Sequence, residues 1–92
     1  MGVKVVYSEG FINAKGYNLH YLEWGNKGEG LILLHGSAPY CSAYDLKAIG
    51  NALSKRYHII AFDLIGHAQS TDPSKPLGFK EHVSILRNAA QR

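Results

Sequence analysis

Two short apolar runs are each followed at once by small and polar residues. Leu31-Ile32-Leu33-Leu34 leads into His35-Gly36-Ser37-Ala38-Pro39, and Ile59-Ile60-Ala61-Phe62 leads into Asp63-Leu64-Ile65-Gly66-His67-Ala68-Gln69-Ser70. In an open α/β sheet, ligands bind just outside the carboxyl ends of the strands, so both junctions sit where chemistry would occur. Hydrolysis of an ester or a similar carbonyl builds negative charge on an oxygen. One backbone N–H aimed at that oxygen contributes ~3–4 kcal/mol to the transition state. Gly36 allows a sharp turn, and the amides of Ser37 or Ala38 then become candidate donors for half of an oxyanion hole. The competing reading of the same residues is an ordinary strand-to-helix turn.

Other chemistries find less support. Cys41 precedes a helix start, where a thiolate is favoured, and His35 is near it in sequence. A small, partly buried apolar residue flanking the helix cap is the better explanation. His20, His35, His58, His67 and His82 fall in different elements, with no His-x-x-x-His or Cys-x-x-Cys spacing, so no metal site is expected. Gly28-Glu29-Gly30 precedes a strand and so does not form a phosphate loop. No Gly-x-Ser-x-Gly pentapeptide, the elbow that carries a nucleophilic serine, occurs in the chain.

Size and composition bound the answer further. Ninety-two residues is one domain at most. With 46% hydrophobic and 18% charged residues, the chain is too apolar for a disordered tail. The net charge of +3 is spread out, and Lys55-Arg56 is the sole adjacent basic pair, so no nucleic-acid partner is expected. The single Cys41 excludes an internal disulfide and fits a reducing compartment. The apolar run after Met1 is too short for a signal peptide, and no segment approaches a membrane span. The expectation is a cytoplasmic protein with no membrane contact.

The elements that must position the junctions follow from periodicity. Val3–Ile12 reads as a strand with Gly10 as a bulge or weak point, Asn13–Gly16 as a turn, and Tyr17–Trp24 as the returning strand of an antiparallel hairpin. Leu22 and Trp24 share one face, and Leu19 and Tyr21 the other. The continuously apolar Leu31–Leu34 predicts a parallel strand covered on both faces. Ser42 with Asp45 three residues on resembles a capping box, which starts a helix whose stripe is Leu46, Ile49 and Leu53. His58–Asp63 is a second parallel strand. Thr71–Gly78, with Pro73 and Pro76, is a loop, and Phe79–Ala90 is a helix with Phe79, Val83, Leu86 and Ala90 on one face.

In this order the parts resemble the N-terminal part of the α/β-hydrolase fold, from Leu19-His20-Tyr21 with Trp24-Gly25 through the His-Gly loop and helix to the Asp63–Ser70 turn. That turn is similar to the Asp-x-x-Gly-His-Gly-x-Ser turn of the family. Leu33–Tyr44 also resembles the His-Gly-Ser-Gly-Pro-Gly stretch of hydrolases that cleave carbon–carbon bonds in ring-fission products. Ala38 and Tyr40 stand where that stretch has glycines, and Ala68 where the later turn has one.

The resemblance implies an α/β fold class: the N-terminal half of a hydrolase sheet, with an antiparallel hairpin, a parallel strand–helix–strand unit and a final helix, in one partial domain over 1–92. It implies that Ser37 and Ala38 act through backbone oxyanion-hole donors, while His35, Gly36, Asp63, Gly66, His67 and Ser70 hold the loops. The nucleophile (serine or aspartate), acid and catalytic histidine would follow Arg92. The implied chemistry needs no cofactor, acts on a small-molecule ester or carbonyl substrate in the intact enzyme, and is absent from this chain alone. Leu31–Leu34 would then lie at an open sheet edge, which invites self-association. The alternative function is a non-catalytic fragment that binds a partner chain through that edge.

Overall fold

A computed structural model describes residues 7–25, 27–36, 38 and 40–91. The first part of the expected opening strand, Val3–Val6, lies outside them. Within them the first strand, β1, spans Ser8–Ala14. It pairs antiparallel with β2, Tyr17–Trp24, in unbroken register from Ser8↔Glu23 to Ala14↔Tyr17. Gly10 is therefore no bulge. It lies opposite Tyr21, and a Cβ there would stand 3.3 Å from the Tyr21 hydroxyl. The hairpin turn is the two residues Lys15-Gly16, both with positive φ, the geometry that matches the twist of the flanking strands.

β3 (Gly30–Leu34) and β4 (His58–Phe62) are parallel neighbours, paired from Gly30↔His58 to Leu34↔Phe62. β4 also pairs antiparallel with β2, from Tyr21↔Phe62 to Trp24↔Ile59, so the sheet order is β1-β2-β4-β3. This mixed sheet with a parallel strand–helix–strand unit matches the α/β class expected, and β3 lies at an edge.

Side chains alternate across each strand and divide the interior into two clusters. On one face Leu22, Trp24, Ile59 and Ala61 pack with Ala43, Leu46 and Leu53. These last three come from a 3-10 turn, Ala43–Leu46, and the helix it feeds, α1, Lys47–Leu53. The predicted capping box is present: the Tyr44 N–H donates to Ser42 Oγ at 3.2 Å, and the Ser42 N–H donates to Asp45 Oδ2 at 3.0 Å. On the other face Leu19, Phe62, Ala14 and Ile65 pack against Ile85 and Ala89 of α2, Phe79–Ala90. Full burial of a side chain such as Phe62 contributes roughly 1.5–3 kcal/mol.

Both helix stripes need correction. Ile49 is 51% exposed. The residue that meets the sheet in its place is Gly50, buried against the Trp24 ring. A Leu46–Gly50–Leu53 stripe follows the 3.6-residue period as well as Leu46–Ile49–Leu53 does, and the bulk of Trp24 selects the glycine. In α2 the buried residues are Ile85 and Ala89, while Phe79 is 83% exposed. Val83, Leu86 and Ala90 instead border an open groove with Ile32 and Leu34 of β3, so only part of the expected stripe finds a partner.

The fit at Gly50 yields a direct test. A Cβ there would lie 2.7 Å from Trp24 Cζ2, closer than carbon atoms approach without displacement. Overpacking costs typically ~1–3 kcal/mol, against the gain of about 1 kcal/mol that alanine brings to a helix interior. Gly50→Ala should therefore lower unfolding stability by about 1 kcal/mol in urea titrations followed by circular dichroism. A stability equal to or above wild type would contradict the packing described.

Candidate active-site loops and the buried carboxylate

Because β3 and β4 are parallel and in register, the segments after Leu34 and Phe62 leave the same end of the sheet side by side. Each end of the segment between β3 and α1 is fastened to the start of the segment after β4. Near its beginning, the Leu64 N–H donates to His35 Nε2 at 3.0 Å, and the His35 Nδ1–H points at the Gly36 carbonyl. These two bonds define a neutral His35 with its proton on Nδ1. At its end, the Ala43 N–H donates to Asp63 Oδ1 at 2.7 Å. A turn inside the segment is closed by the Cys41 N–H donating to the Ala38 carbonyl at 3.0 Å.

Asp63 has no solvent exposure. Its Oδ2 accepts the Gln69 N–H at 3.1 Å and faces His20 Nδ1 at 2.8 Å. Its main chain is held as well: the Asp63 N–H donates to the His20 carbonyl at 2.9 Å, and Ser70 Oγ donates to the Asp63 carbonyl at 2.6 Å. Ser70 Oγ in turn accepts the His20 N–H at 2.9 Å. Asp63 and Ser70 are thus tied into the loop scaffold by bonds that span the turn. Gly66 adopts φ +88° within that turn, a conformation glycine takes without strain. His67 stacks obliquely on His35, with ring centroids 4.9 Å apart.

Ser37, the first candidate oxyanion donor, lies outside the described residues. Ala38, the second, is partly buried in the segment held between His35 and Ala43. Gly36 is not in the left-handed region, and a Cβ there would make an ordinary 3.4 Å contact with Cys41 Sγ. Local space and φ therefore do not by themselves demand glycine. Ala68, which stands where the similar turn has glycine, does adopt a positive φ of 45°. Among the described residues no cluster of histidine, cysteine and carboxylate side chains is arranged to hold a metal. No helix among them is long and apolar enough to cross a membrane.

Sequence reasoning passed over the other half of this constellation. His20, 1% exposed, sits on the same face of β2 as Leu22 and Trp24. Its Nε2 meets Glu9 Oε2 at 2.8 Å. Glu9 also accepts the Tyr44 hydroxyl at 2.6 Å, and the Tyr44 oxygen accepts Gln69 Nε2–H at 3.1 Å. The Tyr44 hydrogen bond, and then that of His20, hold the Glu9 carboxyl below its ordinary value. The Glu9 contact raises the Tyr44 phenol. The available signal was a histidine in register with buried apolar neighbours, which requires polar partners.

A parallel strand–helix–strand unit whose loops meet at the carboxyl ends, beside an antiparallel hairpin, is the fold of the α/β-hydrolases, and this chain has that fold over the portion it spans. No family model matches the chain. It is 35% identical, over 90% of its length, to the 2-hydroxy-6-oxo-6-(2'-aminophenyl)hexa-2,4-dienoic acid hydrolase of Metapseudomonas resinovorans, and spans 34% of that protein. Among solved structures, a meta-cleavage product hydrolase superposes with a TM-score of 0.81 at 31% identity, over 89% of this chain and 32% of its own. An epoxide hydrolase superposes with a TM-score of 0.84 at 27% identity, over 94% and 29%. The chain therefore spans about a third of the length of these relatives.

Two measurements probe this site. Glu9 has a lowered folded pKa, so the stability it adds is present above its ordinary 4.5 and is lost as pH falls through the lowered value. Tyr44 has a raised one, so its contribution holds below 10.0 and is lost as pH rises through the raised value. Urea midpoints should fall toward both extremes, and Glu9→Gln should flatten the acid limb; an unchanged acid limb would count against the Glu9 contacts. Separately, Ala68→Gly should raise stability by about 0.5–1 kcal/mol, since a side chain in the left-handed region costs ~1 kcal/mol or more.

Proposed function

We propose that this chain forms the oxyanion-binding side of a hydrolase acting on an ester or similar carbonyl. In this reading the backbone N–H groups of Ser37 and Ala38 stabilise the oxygen that becomes negative when a nucleophile attacks. The nucleophile, a serine or an aspartate, its histidine base and the acid that orients it are supplied from outside these 92 residues. Water then hydrolyses the covalent intermediate. The chain needs no cofactor in this role and has no turnover alone.

The observation that carries the reading is the fastening of residues 35–43 at both ends to Asp63 and Leu64. It holds a short backbone segment at the reactive end of the sheet, and preorganised amides are what oxyanion stabilisation requires. The relatives' names add the chemical direction. Two are named for a 6-oxo dienoic acid and for a meta-cleavage product; together with the resemblance of Leu33–Tyr44 to hydrolases that cleave carbon–carbon bonds in ring-fission products, they make that subclass the favoured one. A cytoplasmic location fits the same picture.

A second reading, a non-catalytic fragment that docks a partner chain, is favoured by one observation. β3 is a sheet edge, and its Ile32 and Leu34 are 45% and 49% exposed. Such edges recruit other strands. If this reading holds, light scattering after size exclusion should show association that Ile32→Lys weakens. A monomer at every concentration would remove it.

The hydrolase reading is tested by replacing the corresponding N-terminal third of the Metapseudomonas resinovorans hydrolase with these 92 residues. The chimaera should hydrolyse p-nitrophenyl esters or the dienoic acid, whereas the chain by itself should stay at background. In the chimaera, Ser37→Pro, which deletes an N–H, should lower kcat by roughly 100–1,000-fold, and Ser37→Ala should leave it near that of the parent chimaera. Saturable turnover by the 92 residues alone, or a proline variant as fast as its parent, would refute the assignment.

A further inference from the structure

The hydrolase reading uses Asp63 as an anchor but leaves His20 and Glu9 without a task. The arrangement of donors around them is unusually restrictive. Asp63 receives the N–H groups of Ala43 and Gln69, and both of its oxygens are thereby occupied as acceptors. Glu9 receives the Tyr44 hydroxyl, whose oxygen is already occupied by the Gln69 amide. His20 lies between the two carboxylates, with one ring nitrogen at 2.8 Å from each. With both carboxyls ionised, as is ordinary at neutral pH, neither has a proton to offer, so both ring nitrogens must donate. The ring that satisfies every bond is the imidazolium.

The groups facing His20 are consistent with that charge. They are Glu9 and the Phe11 ring from β1, Asp63 at the end of β4, and the Tyr44 ring from the 3-10 turn, with the two aromatic centroids 5.4 and 5.5 Å away. The Lys47 ammonium lies beyond, 5.0 Å over the Tyr44 ring. A buried carboxylate stripped of its counter-charge is strongly destabilised. Loss of the imidazolium would therefore weaken the acceptor that holds Ala43.

We propose that His20 is a positioning residue. As an imidazolium clamped between Glu9 and Asp63, it keeps the Asp63 carboxylate in place to hold the Ala43 amide, and so sets the far end of the 35–43 segment at the reactive edge of the sheet. The catalytic meaning of that placement rests on the hydrolase reading. The clamp itself does not, and its test reads the clamp without any reaction.

The test uses the 92-residue chain labelled with nitrogen-15. Long-range proton–nitrogen correlation at neutral pH should show both His20 ring nitrogens protonated. A single-tautomer pattern, with one unprotonated nitrogen, overturns the proposal even if no variant folds. In His20→Gln, hydrogen exchange of the Ala43 and Gln69 amides should accelerate by roughly tenfold or more relative to amides in the β1–β2 hairpin. In His58→Gln, which breaks the contact of His58 with Glu23 at the other end of the sheet, the Ala43 and Gln69 amides should be unaffected. Equal acceleration in both variants would mean that His20 contributes only general stability, which also overturns the proposal. Failure of the chimaera to turn over substrate would refute the hydrolase reading and leave these ring and amide signals untouched.

Discussion

The structure turns on one buried carboxylate. Asp63 lies where β4 ends, beside the end of β3 and His20 in the middle of β2, and its two oxygens reach Ala43, Gln69 and His20. Removing a carboxylate from water costs several kcal/mol unless its partners are well placed. Here those partners are two backbone amides and a ring on the neighbouring strand, groups that β4 pairing and the capped 3-10 turn already hold still. The charge therefore gains little from rearranging and loses much if any of the three moves. Two loops far apart in sequence become one rigid body because they share this acceptor.

Neutral His35 does the complementary work at the other end of the same segment. Its Nε2 accepts the Leu64 amide, one residue beyond Asp63. The short stretch of chain from His35 to Ala43 is thus pinned at both ends to two consecutive residues. Pinning of this kind restricts the conformations open to the segment. Both pinned ends, His35 and Ala43, are buried, whereas Gly36 and Tyr40 between them are exposed.

Much of this was legible from residue order. The β2 span, the α2 span, the capping box at Ser42 and the two strand-to-loop junctions all follow from period and local chemistry, which act between near neighbours. The helix faces did not follow, for a physical reason. α2 carries two overlapping apolar stripes, one through Ile85 and Ala89 and one through Val83, Leu86 and Ala90. Periodicity identifies both as apolar but says nothing about which has a neighbour. The sheet order places the Ile85 stripe over β1, β2 and β4, whereas the second stripe borders an open groove beside β3, with Leu86 also touching the edge of the Ile85 cluster. Likewise, Gly50 outranks Ile49 only because Trp24 needs the space. His20 was invisible because its partners come from three other elements brought together by pairing between distant strands.

This portion of the fold decides some features of the chemistry and leaves others open. Proteins named for a dienoic acid hydrolysis, a meta-cleavage product hydrolysis and an epoxide hydrolysis align with or superpose on this chain over nine-tenths or so of its length. An epoxide has no carbonyl oxygen to bear charge in the way a ketone does, yet the backbone here overlays both kinds of relative equally well. What separates those reactions must then lie in groups added to this platform, in keeping with function residing in sites set upon a shared fold. A platform of that kind is best served by a rigid, internally satisfied charge cluster beneath the loops. The one around Asp63 has that character, because its bonds run between strands and loop backbones.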